Sequence, residues 1–496
     1  MSISDTAANL SKAADNPVRV NARRPGLILV FLCIAGFMTF LDVSIVNVSL
    51  PTIERELKIS ETTLQYIVTT YGTVLGGCLL LGGRLADSFG RRRILQAGLI
   101  VFALASLAAG LSQDAVLLIV ARGVQGLGAA FIAPSALSIL ASTFPEGPER
   151  TRALGVWGGL AGIASVVGVM LGGLLTEGPG WRWIFFINVP IGLVAAALAP
   201  FIVPEGRDST RRSFDLAGAV VLTAGLVLLI FALGQTVNWG WGSAKTIGLL
   251  LGAVVLLFGF TMIERRTDTP LIPLSTFRLK ALRNANLIAI CMLGSLVTLF
   301  FFASLFMQQV LDYSPIKTGL AYLPIALIVV VGAGVSQGLV KSLAAKPVLI
   351  AGLVLATVGL VLLWRVPVHA SYPVDVLPAF LVGGLGFGMA FVPIQVAAFS
   401  GVREEDSGMA AGLINTSQEA GGALGVAVAA SIAFTRIPAL TRWAGHDPAR
   451  IAQARADVFH EAFIIGAGFA LLSVLIAFTL PMMRASEHAA ATTEWR

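Results

Sequence analysis

The stretch Gly83-Arg84-Leu85-Ala86-Asp87-Ser88-Phe89-Gly90-Arg91-Arg92-Arg93 places a dense group of charges between two long apolar runs, at roughly 62–82 and 94–111. Each run is long enough to cross about 30 Å of hydrocarbon, since a helix rises about 1.5 Å per residue. A soluble protein has no need for a charged, glycine-bounded turn between two such segments. The stretch therefore predicts two membrane-spanning helices that reverse tightly at one membrane surface.

Composition extends this prediction to the whole chain. Its 496 residues are 56% hydrophobic and only 12% charged, and the mean hydropathy is +0.86. Globular domains carry about 25% charged residues, so the chain is expected to be an all-α polytopic membrane protein. The net charge of +7 is explained by Lys and Arg in loops, and no nucleic-acid partner, cofactor, metal or enzymatic activity is expected.

Fourteen apolar segments predict fourteen transmembrane helices, at 26–50, 62–83, 93–111, 115–140, 153–176, 183–203, 214–234, 246–264, 285–311, 317–340, 347–365, 375–399, 409–434 and 460–482. Most of the 34 Lys and Arg residues fall in loops on the side of the termini. The positive-inside rule then places both termini in the cytoplasm, in the cytoplasmic membrane.

The helix count and charge spacing predict an internal duplication with a central site. The predicted parts are a cytoplasmic tail (1–25), an N-terminal six-helix bundle (26–203), a linker with two extra helices (204–284), a C-terminal six-helix bundle (285–482) and a second cytoplasmic tail (483–496). We expect a monomeric chain in the lipid bilayer.

Three charged residues lie deep inside predicted spans, away from the span ends, where each costs roughly 2.5–3.5 kcal/mol on insertion scales and is a functional candidate. Asp42 and Arg122 lie at similar depth in helices 1 and 4. They fit either proton coupling or a permanent structural ion pair, and the sequence leaves open whether they touch. Glu419 lies near the midplane of helix 13 and fits either binding of a proton or cationic substrate, or local hydrogen bonding.

Two further sets are predicted by position. Charged side chains of the turn can latch neighbouring helix ends, and closely spaced glycines in helix 5 permit either a hinge or simple close packing. The residues expected to control gating are Gly83, Asp87, Gly90, Arg91, Arg92, Gly168, Gly172 and Gly173. Candidates to line a substrate cavity are Phe37, Phe40, Tyr66, Trp157, Phe391 and Glu419.

Several of these stretches resemble motifs of a known family. Residues 83–93 resemble the loop between helices 2 and 3 of the major facilitator superfamily. Residues 41–51 and 122–128 resemble the helix 1 and helix 4 motifs of its drug–proton antiporters. Residues 181–192 and the extra helix pair resemble the fourteen-helix family within that group.

The resemblance implies the major facilitator fold, two six-helix bundles plus two extra central helices. It also implies proton-driven efflux of amphipathic, often cationic drugs and antiseptics. It assigns proton coupling to Asp42 beside the helix 4 arginine, Arg122, and stabilisation of the outward-facing state to Asp87. Two departures are Val169, where the helix 5 motif has proline, and Ser88, where the loop motif has a basic residue.

The sequence thus predicts a multidrug exporter that exchanges protons for a small amphipathic substrate. The alternatives are a dedicated exporter of one metabolite or self-made antibiotic, a proton symporter, and a non-transporting membrane sensor.

Overall fold

The computed structural model describes residues 25–59, 61–144, 148–205, 215–267, 276, 278–403, 406–435 and 448–481. These residues form fourteen helical passages and no strand, which confirms the predicted fold class. The passages are α1 (Pro25–Leu57), α2 (Glu61–Phe89), α3 (Arg91–Gly110), α4 (Ala115–Thr143), α5 (Pro148–Glu177), α6 (Trp183–Phe186 and Asn188–Ile202), α7 (Leu216–Trp239), α8 (Ala244–Glu264), α9 (Lys280–Gln309), α10 (Pro315–Ala321 and Leu323–Leu343), α11 (Ala345–Trp364), α12 (Leu377–Phe399, after a π-helical turn Tyr372–Val376), α13 (Ser407–Thr435) and α14 (Pro448–Phe478).

Length and composition show that these passages suit a membrane. Among the described residues, twelve helices are long and apolar enough to span one. The other two passages, α5 and α13, are 30 and 29 residues long and pack inside the same bundles. The predicted terminal tails fall almost entirely on 1–24 and 482–496, outside the described residues.

The chain reverses between α2 and α3 over fewer residues than the charged stretch 83–93 predicts. Helix α2 continues to Phe89 and α3 begins at Arg91, so residues 83–89 are helical and Gly90 alone makes the reversal. Its φ of 106° lies in the left-handed region that only glycine adopts without strain. The predicted start of the last helix at 460 is also wrong, because α14 begins at Pro448.

Prolines explain three interruptions of regular α-helix that the predicted spans did not include. Helix α6 breaks before Pro190, α10 breaks before Pro324, and α12 begins with a π-helical turn before Pro378. Proline has no N–H to donate, and its ring clashes with the carbonyl group four residues earlier. The regular ladder therefore fails within the preceding turn in each case.

The two bundles share one packing plan. In the N-terminal bundle (α1–α6), α1 packs on α5, α2 on α4, and α3 on both α4 and α6. In the C-terminal bundle (α9–α14), α9 packs on α13, α10 on α12, and α11 on both α12 and α14. Every pair in the second set lies eight helices after its counterpart, as an internal duplication requires.

The duplication extends to individual residues at equivalent turns. Gly90 joins α2 to α3, and Ala344 joins α10 to α11 with a φ of 71°. Arg92 donates to two carbonyl oxygens at the end of α6, at 3.3 and 3.4 Å. Lys346 donates to two carbonyl oxygens at the end of α14, at 2.7 and 2.8 Å. In both bundles, a cation after the turn thus satisfies the last acceptors of a helix.

The left-handed backbone conformation of Ala344 is expected to lower the stability of the protein. Ala344 holds a left-handed conformation that costs an L-residue about 1–2 kcal/mol. The substitution Ala344→Gly removes this strain, but glycine also raises the conformational entropy of the unfolded chain, which opposes folding. The net result is expected to be a stabilisation of about 0.5–1 kcal/mol. Thermal unfolding in detergent measures the change.

The equivalent substitution in the other bundle is the control. Gly90→Ala should destabilise, because a Cβ on Gly90 would stand 2.5 Å from the Glu205 carboxylate. A lowered melting temperature for Ala344→Gly would contradict the assignment of strain at this turn.

The bundles meet along two seams, defined here as the contacts of α2 with α13 and of α5 with α10. In the duplication α2 corresponds to α10 and α5 to α13, so each seam is the counterpart of the other and the interface is pseudo-symmetric. The α7–α8 hairpin breaks this symmetry, because α7 packs on both α2 and α13. Hereafter the membrane face that holds Gly90 is the turn face, and the opposite one is the far face.

Candidate functional site

Asp42 and Arg122 form a buried ion pair in the N-terminal bundle. Asp42 is 0% exposed and Arg122 is 1% exposed, and Arg122 Nη1 donates to Asp42 Oδ2. Arg122 Nε also donates to the carbonyl oxygen of Ile67 on α2, at 3.2 Å. Removing either charge alone would leave the other uncompensated in a low-dielectric interior.

Two amides complete the environment of the carboxylate. Gln125 Nε2 donates to Asp42 Oδ1 at 3.2 Å, and Asn188 Nδ2 donates to the same oxygen at 3.1 Å. Gln125 also donates to Ser106 Oγ at 2.7 Å and accepts from Arg122 at 3.0 Å. Asp42 therefore accepts three side-chain hydrogen bonds and is fully enclosed in this conformation.

The network joins five of the six helices in its bundle. Asp42 lies on α1, Ser106 on α3, Arg122 on α4 and Asn188 on α6. Tyr71 on α2 completes it, because the Arg122 guanidinium lies 4.2 Å from the centre of the Tyr71 ring. The network therefore holds these helices as one unit.

Sequence reasoning missed four members of this network, Tyr71, Ser106, Gln125 and Asn188. A signal existed for Gln125, which lies three residues after Arg122 and hence on the same helix face. Asn188 is a polar amide inside an apolar span, where such groups find partners on neighbouring helices. Ser106 and Tyr71 carry no signal that separates them from ordinary core residues.

The turn residues connect the two bundles at the turn face. Asp87 accepts the backbone N–H groups of Gly408 and Met409 at 3.1 and 2.9 Å. These donors belong to the first turn of α13 and have no acceptor within that helix. Asp87 thus caps α13 from the opposite bundle, where the positive end of the helix dipole favours an anion.

Close backbone contact and further charges surround this cap. A Cβ on Gly83 would stand 2.1 Å from the carbonyl oxygen of Gly408, so the contact requires glycine. Arg84 pairs with Asp406 at 3.5 Å across the same seam. Ser138 Oγ and Ser407 Oγ are 2.8 Å apart. We call Gly83, Arg84, Asp87 and their partners Asp406, Gly408 and Met409 the latch.

The other residues predicted for gating have different positions. Arg91 lies 3.8 Å from Asp87 and belongs to the latch region, whereas Arg92 pairs with Glu205 inside its own bundle at 3.2 Å. Gly168 and Gly172 pack on α1, and a Cβ on Gly173 would meet no atom within 4 Å.

Glu419 lies on α13 where three helices meet. A Cβ built on Gly76 of α2 would stand 3.0 Å from Glu419 Cβ and 2.7 Å from Ile230 Cδ1 of α7. Glu419 is half-buried, and within the described ranges its carboxylate makes no hydrogen bond or ion pair. It therefore differs from Asp42, which is fully bonded and enclosed.

The predicted cavity residues do not all come together. Trp157 is buried, and its ring lies 2.6 Å from a Cβ built on Gly36. Phe37, Phe40 and Phe391 are partly buried and pack around the same hydrophobic cluster. Tyr66 lies in the second turn of α2, near the far face, and is half-buried. Four of the aromatic candidates thus border the bundle core, while Glu419 lies at the α2–α13 seam.

The chain matches a family model over most of its length. The model for the Major Facilitator Superfamily covers residues 32–426. The chain belongs to this superfamily. It is therefore a multi-pass membrane transporter of small molecules rather than an enzyme.

Characterised relatives of this facilitator include proteins named for antibiotics. It is 34% identical to puromycin resistance protein pur8 of Streptomyces alboniger, over 91% of this chain and 90% of the relative. It is 36% identical to cephamycin export protein CmcT of Amycolatopsis lactamdurans, over 92% of both chains. The human organic anion transporter MFSD10 has a TM-score of 0.66 at 16% identity, covering 91% of this chain and 99% of that one, which supports the fold.

The latch of this facilitator is expected to hold the turn face closed. Asp87→Asn removes a charged acceptor from two backbone donors, and hydrogen bonds to charged groups contribute about 1.5–3 kcal/mol. We expect the turn face to open more often in this variant. Ser407 is 5% exposed in this structure, so the thiol introduced by Ser407→Cys should be labelled about tenfold faster when Asp87→Asn is also present. The measurement is the labelling rate in a background without Cys33, Cys78 and Cys291.

Asp215→Asn is a matched control for the latch. Asp215 also caps a helix at the turn face, with Oδ1 2.9 Å from the Gly218 N–H, but it caps its own helix, α7. The control should leave the labelling rate near that of the parent. Equal acceleration in both variants would show that Asp87 does not hold the bundles together.

Proposed function

We propose that this facilitator exports amphipathic, cationic small molecules across the cytoplasmic membrane in exchange for protons. The observation that carries the proposal is the half-buried carboxylate of Glu419, which has no hydrogen-bond partner among the described residues and lies at a seam between the bundles. An ionisable group in the membrane is costly and marks a transport path. The names of the relatives support export as the direction.

The proposed cycle uses the two carboxylates differently. Glu419 binds either a proton or the cationic group of the substrate, so the two ligands compete and the fluxes are coupled. Asp42 and Arg122 hold the N-terminal bundle as a unit, and protonation of Asp42 would require the network around it to open. We assign Asp42 the second, conformation-dependent proton site.

The latch supplies the alternation of access. The positive-inside rule favours a cytoplasmic turn face, so in the proposed cycle the latch closes the cytoplasmic side in this conformation. In the proposed cycle, release of Asp87 from α13 opens that side, where the proton leaves and the substrate binds. The bundles then rock about the midplane and the latch closes again, while the glycines Gly168, Gly172 and Gly173 accommodate bending of α5.

Acridine-orange fluorescence in energised everted vesicles tests the proposal. Addition of a lipophilic cation should release protons from vesicles that contain the protein and leave control vesicles unchanged. Uptake of the cation without proton movement would overturn antiport, and proton movement with the opposite sign would favour symport.

A second function is supported by the names of the relatives, which refer to single antibiotics. A dedicated exporter of one metabolite would respond to that compound and its analogues only. The breadth of response across structurally unrelated cations in the same vesicles separates the two functions.

A further inference from the structure

Helix α7 belongs to neither bundle, yet it lies directly against the site at Glu419. Ile230 is 6% exposed, and its Cδ1 approaches the same face of Gly76 that contacts the Glu419 side chain. One turn earlier, Val227 meets Gly77 so closely that a Cβ there would stand 2.9 Å from the Val227 backbone. The paired glycines of α2 thus let α7 approach the Glu419 side chain.

Exposure shows that the hairpin covers only one of the two seams. Among the described residues of α2 and α13, Phe89 and Ile432 are the exposed large apolar side chains, and both lie at helix ends. Helices α5 and α10, which form the related seam, expose apolar side chains along their length, including Val156, Ile163, Leu327 and Val331. The site at Glu419 is therefore closed towards the lipid by α7.

We propose that Ile230 is a specificity-determining residue, which limits the bulk of the cationic group that reaches the Glu419 carboxylate. This inference rests on the proposed function. A branched side chain fixed beside the Glu419 side chain excludes wide head groups by contact. On the side of Glu419 that faces α7 it also displaces water, which strengthens the attraction for a cation that does fit.

Two monovalent cations with different head groups test this role. Tetraphenylphosphonium carries four rings around its charge, whereas cetyltrimethylammonium carries three methyl groups and one chain. Removal of a few carbons from an apolar pocket changes discrimination about tenfold or more. The measurement is the dissociation constant of each cation for the purified protein. The ratio used below is the dissociation constant of tetraphenylphosphonium divided by that of cetyltrimethylammonium.

The expected results have opposite signs for two substitutions. Ile230→Ala should favour tetraphenylphosphonium and shift the ratio by about tenfold, while Ile230→Phe should shift it the other way. Val220→Ala is the matched control, because Val220 lies on the same helix and is 60% exposed, away from the site. The control should leave the ratio unchanged.

Glu419→Gln separates an effect at the carboxylate from a general effect on the fold. In that background, Ile230→Ala should no longer change the ratio, since the cation is no longer drawn to the site. An unchanged ratio in both Ile230 variants, with a wild type that binds both cations, would overturn this inference and leave the proposed function intact. A wild type that binds neither cation would overturn the proposed function, and this inference with it.

Discussion

Glu419→Gln is expected to abolish the proton release that a lipophilic cation drives in everted vesicles, without unfolding the protein. The amide has nearly the same shape as the carboxylate but neither binds a proton near neutral pH nor attracts a cation. Loss of one partner from a desolvated charge pair costs about 2–5 kcal/mol, so the affinity for the cation should fall about 30-fold or more. The rate of fluorescence recovery measures the effect.

Stability should change little in this variant. The Glu419 carboxylate has no hydrogen-bond donor among the described residues, so its neutralisation leaves no such donor unpaired. Glu419→Asp keeps the charge on a shorter side chain and should retain part of the activity. Melting temperatures of both variants verify folding.

A matched control comes from another buried glutamate. Glu264 is 4% exposed and is the last residue of α8, at the turn face, whereas Gly76 lies in the middle of α2. Glu264→Gln should therefore leave proton release close to wild type, provided that the protein remains in the membrane. Full proton release by Glu419→Gln would remove Glu419 from coupling and make Asp42 the remaining carboxylate.

The sequence could predict those features that depend on local patterns. Apolar runs give the fourteen helices, because the thickness of the hydrocarbon core fixes their length. Similar depths in helices 1 and 4 allowed Asp42 and Arg122 to approach each other, although the sequence left open whether they touch. Pro190, Pro324 and Pro378 also carried a local signal for helix breaks, which the apolar pattern alone hides.

Features that depend on which helices are neighbours could not be predicted in this way. Asp87 and its donor on Gly408 are separated by 321 residues, and no local pattern links them. Helix α7 is apolar on all sides, so its sequence does not indicate which face meets α2. The contact between Ile230 and Gly76 therefore appears only in the folded structure.

Asp42→Asn is expected to destabilise the protein by about 3–5 kcal/mol, the usual cost of removing one partner from a buried ion pair. The substitution leaves the Arg122 guanidinium 1% exposed without an anion, and it replaces an acceptor of three hydrogen bonds by an amide. Thermal unfolding in detergent and the yield of folded protein measure the loss.

The double variant Asp42→Asn/Arg122→Gln distinguishes the charge from the shape of the site. Because it removes both charges, it should recover a large part of the stability, and the coupling energy of the cycle should exceed the error of the method. Asp114→Asn is the control on α4, since Asp114 is an exposed N-cap and asparagine caps equally well. A single variant as stable as the control would mean that Asp42 is not ionised in this conformation, and the buried ion pair would have to be abandoned in favour of a protonated carboxyl group at this site.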